Sequence, residues 1–576
     1  AEVNVAGVPS YVTTTPLPAS YRATELSSEP PTRSPRRASP SCVCVIVPRS
    51  EHESCPVALT IMGKKDKKKG KGAEKTIAKT EKKAAQKLKK TLAAKGEDDI
   101  EKLISLCVEQ DRKRPAVTEE LVGPPSFRSG ATLCAHPEKE QLLLFGGEYY
   151  NGLKTFMYNE LYVYNIKKNS WLLVKCPHPP PPRSAHQTVV VPRGGGQMWV
   201  FGGEFASPTR SQFYHYKDLW VYHLASRSWE QVNVPGGPSA RSGHRMVQLG
   251  HKLIVFGGFH ESVGDYRYFN DMYSFDLDER KWTKIDPVNV GPCPRSGCQM
   301  FAMSEDRMVI YGGYSREKLK KDVDRGMAHT DMYILQLDTR GGGPGKWKWA
   351  PVKQTGMRLG PRSGLSTAPV PQTNRAFLFG GVQDEEDEEA LEGRFFNDLH
   401  QLELDRGHWR LVQLRGEAGK EDDGQGRDEA EEAIHRLSIQ EPVVTSDDGI
   451  FTVTIGASES KNCGQDKACP RATTSAKDVS VPVPRMGCSM VIKHGILYLY
   501  GGTFEDGDRQ FTLSDMYSLD IHKLDQWKVL IPLDTKTQEW LGSDDSDEDT
   551  GDEDDDESDE DMESDDDDSH SEDAAD

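Results

Sequence analysis

Six pairs of adjacent glycines most constrain what this chain can fold into: Gly146 and Gly147, Gly202 and Gly203, Gly257 and Gly258, Gly312 and Gly313, Gly380 and Gly381, Gly501 and Gly502. Each ends an apolar run of strand length: "QLLLF", "QMWVF", "KLIVF", "RMVIY", "RAFLF" and "ILYLY". A glycine pair behind a buried strand can open a phosphate-cradling loop and so mark an enzyme. That loop, however, needs spaced glycines followed by Lys-Ser/Thr at a helix N-terminus, so that amides face the phosphates. The run "YGGYSREKLKK" has glycines and later lysines at the wrong spacing. A catalytic loop is also normally single, whereas a feature in every repeat serves every repeat. The pairs therefore read as turns with positive φ that let neighbouring units approach closely.

Other residues recur in phase with them. About 17 residues before each pair stands an arginine: Arg128, Arg183, Arg241, Arg295, Arg362 and Arg485. After each pair comes a variable loop, then a second strand opened by an acidic residue ("NELYVYN", "KDLWVYH", "NDMYSFD", "TDMYILQ", "NDLHQLE", "SDMYSLD"). A tryptophan follows: Trp171, Trp229, Trp282, Trp347 or Trp349, Trp409 and Trp527. The period is about 55 residues over the first four repeats, which suits propeller blades rather than helical solenoids. The expected fold is all-β: six blades of four short strands, closed in a ring that leaves only short protected edges. The first strand follows the arginine, the second ends at the glycines, the third carries the tyrosine and the fourth starts at the tryptophan. The tryptophans are read as wedge fillers between blades.

These residues resemble the kelch repeat, and the resemblance runs over about 400 residues. It implies a six-bladed kelch β-propeller and little about activity. Some kelch adaptors use arginines at this repeat position on carboxylates of a partner, and some propellers of the superfamily are secreted oxidases or sialidases. No signal peptide and no catalytic set is readable here, so no enzyme is expected.

Two departures interrupt the pattern. The glycine pairs of blades five and six lie about 121 residues apart, which makes residues 411–481 an insertion between them. Within it "EPVVTSDDGIFTVTI" suggests a hairpin at its Asp-Gly. Blade four has an extra "GGGPGK" before its tryptophan pair. The domain reading is a disordered leader over 1–61, a lysine-rich arm with helical tendency over 62–120, the propeller over 121–535 and a disordered acidic tail over 536–576. The leader starts with Ala, and Met62 opens "MGKKDKKKGKG", so residues 1–61 are read as an upstream extension of a gene model. In the arm, "DDIEKLISLCV" places Ile100, Leu103, Ile104 and Cys107 on one helical face.

Charge is distributed unevenly. The formal net charge is -19, yet residues 543–576 hold 22 acidic side chains and no Lys or Arg, leaving a near-neutral remainder. Lys64 to Lys90 carries 13 lysines, a composition for nuclear import or weak polyanion contact, and one without the aromatics that base readout needs. The tail suits contact with basic proteins such as histones or ribosomal proteins, and Ser546, Ser558 and Ser564 each precede an acid by three residues, as acidophilic kinases prefer. The 11 cysteines include no C-x-x-C pair and read as free thiols. No apolar run approaches the ~18 residues that cross a bilayer. The expected location is cytoplasmic and/or nuclear, not secreted.

The candidate binding site follows from strand order. Strand 2–3 loops and inter-blade connections emerge on the same face of a propeller. That face would collect the six arginines near the central mouth, as ligands for an acidic peptide or as structural bonds to turn carbonyls. Blades one to three add aromatics, among them Tyr150, Tyr214 and Tyr268, in the composition of protein-binding hot spots. Blade four adds a basic loop and blade five an acidic one. His186 and His244 occupy equivalent positions, but Ala131, Cys298, Leu365 and Cys488 stand there in the other blades, a poor metal set. No metal or cofactor is expected. The reading is a non-enzymatic protein-interaction platform. The alternative is a nucleic-acid-associated or chaperone-like factor, holding histones or ribosomal proteins through its arm and tail.

Overall fold

The structure, a computed structural model, describes residues 98–262, 265–320, 323–339, 345–386, 391–415, 446–447, 450–451, 481–506, 509–534, 538 and 540–541. The leader, the lysine run, most of the blade five insertion and the acidic tail with Ser546, Ser558 and Ser564 lie outside the described residues.

Six antiparallel sheets of four core strands each follow one another along the chain. The innermost strands are Thr132–Ala135, Gln187–Val191, Arg245–Leu249, Gln299–Ser304, Ser366–Pro369 and Ser489–Lys493. Each begins four residues after its repeat arginine. The second strands end at or run through the glycine pairs, as in Gln141–Phe145 and Ile496–Asp506. The third strands begin just after the recurring acid or carry it within them. This is the expected six-bladed propeller.

The second strands explain why the sheets stack in a ring. Each is apolar at nearly every position because both faces are covered, and a period of two divides it between two cores. In blade one Leu142 and Leu144 pack towards blade six, beside Tyr498 and Tyr500. Leu143 and Phe145 pack towards blade two, beside Met198 and Val200. The same division continues through Trp199 and Phe201 against Leu253 and Val255, then Ile254 and Phe256 against Met308 and Ile310. Val309 and Tyr311 meet Ala376 and Leu378. Phe377 and Phe379 meet Leu497 and Leu499, which completes the cycle. Each fully buried large apolar side chain contributes about 1.5–3 kcal/mol.

Ring closure uses side chains and core packing, with blades one and six each built from contiguous strands. Lys493 Nζ donates to the His136 carbonyl at 2.7 Å and Ser489 Oγ to the Ala131 carbonyl at 2.8 Å. Outside blade one, Thr118–Val122 adds a fifth strand to the outer edge strand Ser170–Lys175.

The tryptophans are wedge fillers, as expected, with Trp171, Trp282, Trp409 and Trp527 buried and Trp229 partly buried. In blade four Trp349 takes the position and Trp347 packs against the same cluster. The amphipathic segment forms a helix, α1 (Ile100–Arg112), capped by the Asp99 side chain accepting from Glu101 N. It runs one turn beyond the segment read from sequence, to a buried Asp111. In the blade five insertion Ser446–Asp447 pairs with Ile450–Phe451, and the Asp-Gly between them lies outside the described residues. Among the described residues no helix is long and apolar enough to cross a membrane.

Candidate protein-interaction face

The segments after the glycine pairs, read from sequence as variable loops, are two-stranded ribbons. Glu148–Tyr150 pairs with Thr155–Met157, Glu204–Ala206 with Phe213–His215, and Phe259–Ser262 with Asp265–Tyr268. In blades four and six the second and third strands simply continue past the glycines. Aromatics set opposite one another explain the ribbons: Tyr149 on Phe156, Phe259 on Tyr268 and Phe504 on Phe511 are register pairs with stacked rings, their centroids 5.8, 5.9 and 4.8 Å apart. An isolated bridge ties each ribbon base to the inter-blade connection of its own blade, as Ser184 to Glu204 and Ser242 to Phe259. Ribbons and connections therefore share one face.

The six arginines sit beneath that face, not on it. Arg128, Arg183, Arg241, Arg295 and Arg485 are at most 1% exposed and Arg362 is 7% exposed. In each, Nη1 donates to the carbonyl of the first glycine of the same blade, from Gly146 at 3.3 Å to Gly501 at 3.1 Å. Each also pairs with the acid that opens the third strand: Glu160, Asp218, Asp271, Asp331, Asp398 and Asp515. At Asp218, Asp271, Asp331 and Asp515 the pairing is bidentate. Aromatic rings cap several guanidiniums, with Tyr216 at 4.1 Å from Arg183 and Phe269 at 4.0 Å from Arg241. Burial works against the Arg183 charge, and Asp218 outweighs it, so the arginine is held above its ordinary range.

The arginine backbone binds as well. Arg183 and Arg241 accept at their carbonyls from Gly147 N and Gly203 N of the preceding blade, at 2.9 and 3.0 Å. One residue thus ties the glycine turns of two blades together. The reading of these arginines as partner ligands is corrected: they are buried and bonded to glycine carbonyls and acids inside the blades, which is the structural role weighed beside it. The recurring acid was visible in sequence, and its fixed phase with the arginine was the signal for the pairing.

His186 and His244 lie over the first glycine of the preceding blade, edge-on to Phe145 and Phe201 at 5.3 and 5.2 Å. Burial, then Arg183, push His186 down to about 3, so it is neutral. Cys298, Leu365 and Cys488 fill the equivalent buried place in other blades. Among the described residues no three or more His, Cys, Asp or Glu side chains gather to hold a metal, and Cys293 and Cys298 are free thiols.

What the face does expose is aromatic. Phe156 is 39%, Phe213 38% and Tyr214 36% exposed. Tyr214 packs edge-on to Tyr216, Tyr268 is stacked on Phe259, and Tyr150 lies under Arg210 at 4.0 Å and against Trp540. Both flanking segments are pinned here. Gln212 of the blade two ribbon accepts from Ile100 N and donates to the Asp98 carbonyl, while Asn159 Nδ2 donates to Asp111 at 2.6 Å. Leu541 N donates to the Asn151 carbonyl of the blade one ribbon at 2.8 Å.

A family model described as the KLHDC2/KLHL20/DRC7 Kelch-repeats domain matches residues 130–341 and 243–426, together just over half of the chain. The chain belongs to the kelch-repeat family. It is 27% identical over 222 residues to kelch domain-containing protein 3 of Rattus norvegicus, covering 37% of this chain and 55% of that one. Kelch domain-containing protein 2 of Bos taurus is 27% identical over 258 residues, with 41% and 58% covered. Leucine-zipper-like transcriptional regulator 1 of Pongo abelii is 27% identical over 405 residues, with 68% and 42% covered. The chain spans about half the length of the curated relatives it matches.

Proposed function

We propose that this kelch propeller is a non-enzymatic protein-interaction platform and that its partner docks on the ribbon face of blades one and two. The observation that carries the reading is the group Phe156, Phe213 and Tyr214, large rings left in solvent on short rigid ribbons beside Arg210. Rigid aromatic anchors next to arginine are what protein interfaces concentrate at their centres. Tyr150 and Tyr268 support neighbouring ribbons rather than lead the contact. The lysine run and the acidic tail connect covalently to segments pinned on the same ribbons, so weak polyanion contact through Lys64–Lys90 and basic-protein contact through the tail would add to the partner surface. In its lysine-rich start, its first two ribbons and its acidic end the chain resembles kelch domain-containing protein 4. We place the protein in the cytoplasm and/or nucleus.

The test compares co-purifying proteins for the full chain, for Phe156→Ser/Phe213→Ser/Tyr214→Ser, and for a control changed on the opposite face at Lys167 and Glu279. The triple variant should lose its partners while retaining the wild-type Tm, and the control should keep them. Partners that survive the triple change but vanish on deletion of 62–95 and 543–576 would place binding in the arm and tail instead.

A further inference from the structure

Position four after each repeat arginine opens the innermost strand, and in all six blades it is polar: Thr132, Gln187, Arg245, Gln299, Ser366 and Ser489. The structure brings these six to one level of the central channel, a cavity of about 590 Å³ lined by the innermost strands. They lie at its mouth on the ribbon side, where those strands begin. Farther in, the wall includes Val189, Val247 and Val491. Among the described residues no Asp or Glu lines the channel, and Arg245 is its one arginine or lysine.

Arg245 differs from the arginines that tie the blades. Each of those has a carboxylate, and Arg245 has none among the described residues. Its Nη1 and Nη2 donate to the carbonyls of His244 at 3.2 Å and Gly297 at 3.4 Å. A guanidinium carries five N–H donors, so three remain for the channel. Gln187 likewise spends one amide hydrogen, on the His186 carbonyl at 3.1 Å. Burial of the guanidinium pushes its pKa down, with Cys298 acting the other way. Arg245 is only partly buried, so its remaining donors face the channel rather than a carboxylate. The neighbouring polar groups do not supply the missing charge, since His186 is neutral and the rest are hydroxyls and amides.

We infer that the channel mouth binds a small oxyanion, gripped by the Arg245 fork and flanked by the hydroxyls and amides of the ring. The chemistry required is a pair of anionic oxygens on one centre, which matches a guanidinium edge bidentately. Inorganic phosphate and a short carboxylate both offer it. The valines below the ring favour a carboxylate that carries a few carbons, because its tail would enter the apolar level.

Titration calorimetry on the full chain, with phosphate, acetate and butyrate against a chloride background of equal ionic strength, reads the site. Saturable binding of at least one of them is expected, at least tenfold weaker in Arg245→Gln. Butyrate binding more tightly than acetate assigns a carboxylate; phosphate binding most tightly assigns the inorganic ion. A second readout needs no variant: phenylglyoxal modification of Arg245, followed by mass spectrometry, should slow at least fivefold when the binding anion is present. Absence of saturable binding for all three, or a folded Arg245→Gln that binds as the wild type does, overturns the site. Equal phenylglyoxal modification with and without anion does the same.

Discussion

The Arg485 guanidinium forks onto the Asp515 carboxylate with both side chains wholly shielded from solvent, Nη1 to Oδ1 at 2.6 Å and Nη2 to Oδ2 at 2.8 Å. Nη1 also holds the Gly501 carbonyl, and Nε the Val483 carbonyl. Removing either charge leaves the other buried and unmatched. Arg485→Ala or Asp515→Ala should cost about 3–5 kcal/mol in urea denaturation. Arg485→Met with Asp515→Leu should recover part of that loss, not all, since the two carbonyls stay without a donor. Full recovery would show that the ion pair alone carries the effect.

Gly257 has φ +68° and its missing Cβ would stand 2.7 Å from the Arg295 carbonyl of the next blade. Gly194 has a similar φ of +59° and meets only the Gln197 amide at 4.0 Å. Both Ala substitutions carry about 1 kcal/mol of backbone strain, but Gly257→Ala adds a clash with backbone. Its loss should exceed that of Gly194→Ala by at least ~1 kcal/mol in thermal unfolding. Equal losses would mean that blade turns shift freely.

Glu204, between the ribbons of blades one to three, accepts from Ser242 Oγ at 2.7 Å. Burial, then the Glu148 carboxylate, push its carboxyl up to about 7. A carboxyl raised on folding adds stability below its unfolded value and loses it as pH rises through 7. Between pH 6 and 8 the wild type should therefore lose about 1.4 kcal/mol relative to Glu204→Gln. Tm series of both proteins across that range measure the difference, and parallel curves would refute it.

His186 has the opposite sign. Its folded value of about 3 means that its stability is full above the ordinary histidine range and falls as pH drops from there towards 3. His186→Leu, which copies Leu365 of blade five, should be less acid-sensitive than the wild type between pH 6.5 and 4. It should cost about 1 kcal/mol at pH 8, through the lost bond to Thr132. A steeper acid loss in the variant would contradict a buried neutral ring.

The ribbons show where reading the chain stopped short. "EYYNGLKTFM" carries an Asn-Gly turn signal at Asn151 and Gly152 that the sequence reading passed over, and its pairing sets Tyr149 opposite Phe156. Blade four is the same case, since "YGGYSREKLKK" continues a strand across its glycines through a register shift between Tyr311 and Gly313.

Blade count, strand order and the places of the glycines and tryptophans were determined by sequence alone, because a short-range pattern repeated in phase encodes itself six times. The tertiary structure decided the fate of the arginines. Their spacing fits a ligand-reading fork as well as a buried strut, and only the position of an acid some 30 residues later in the chain, folded to within hydrogen-bond distance, distinguishes the two. The same holds for Arg245: one polar position per blade means little along the chain. Closing the ring sets six of them around one channel and leaves the Arg245 guanidinium there with no carboxylate among the described residues.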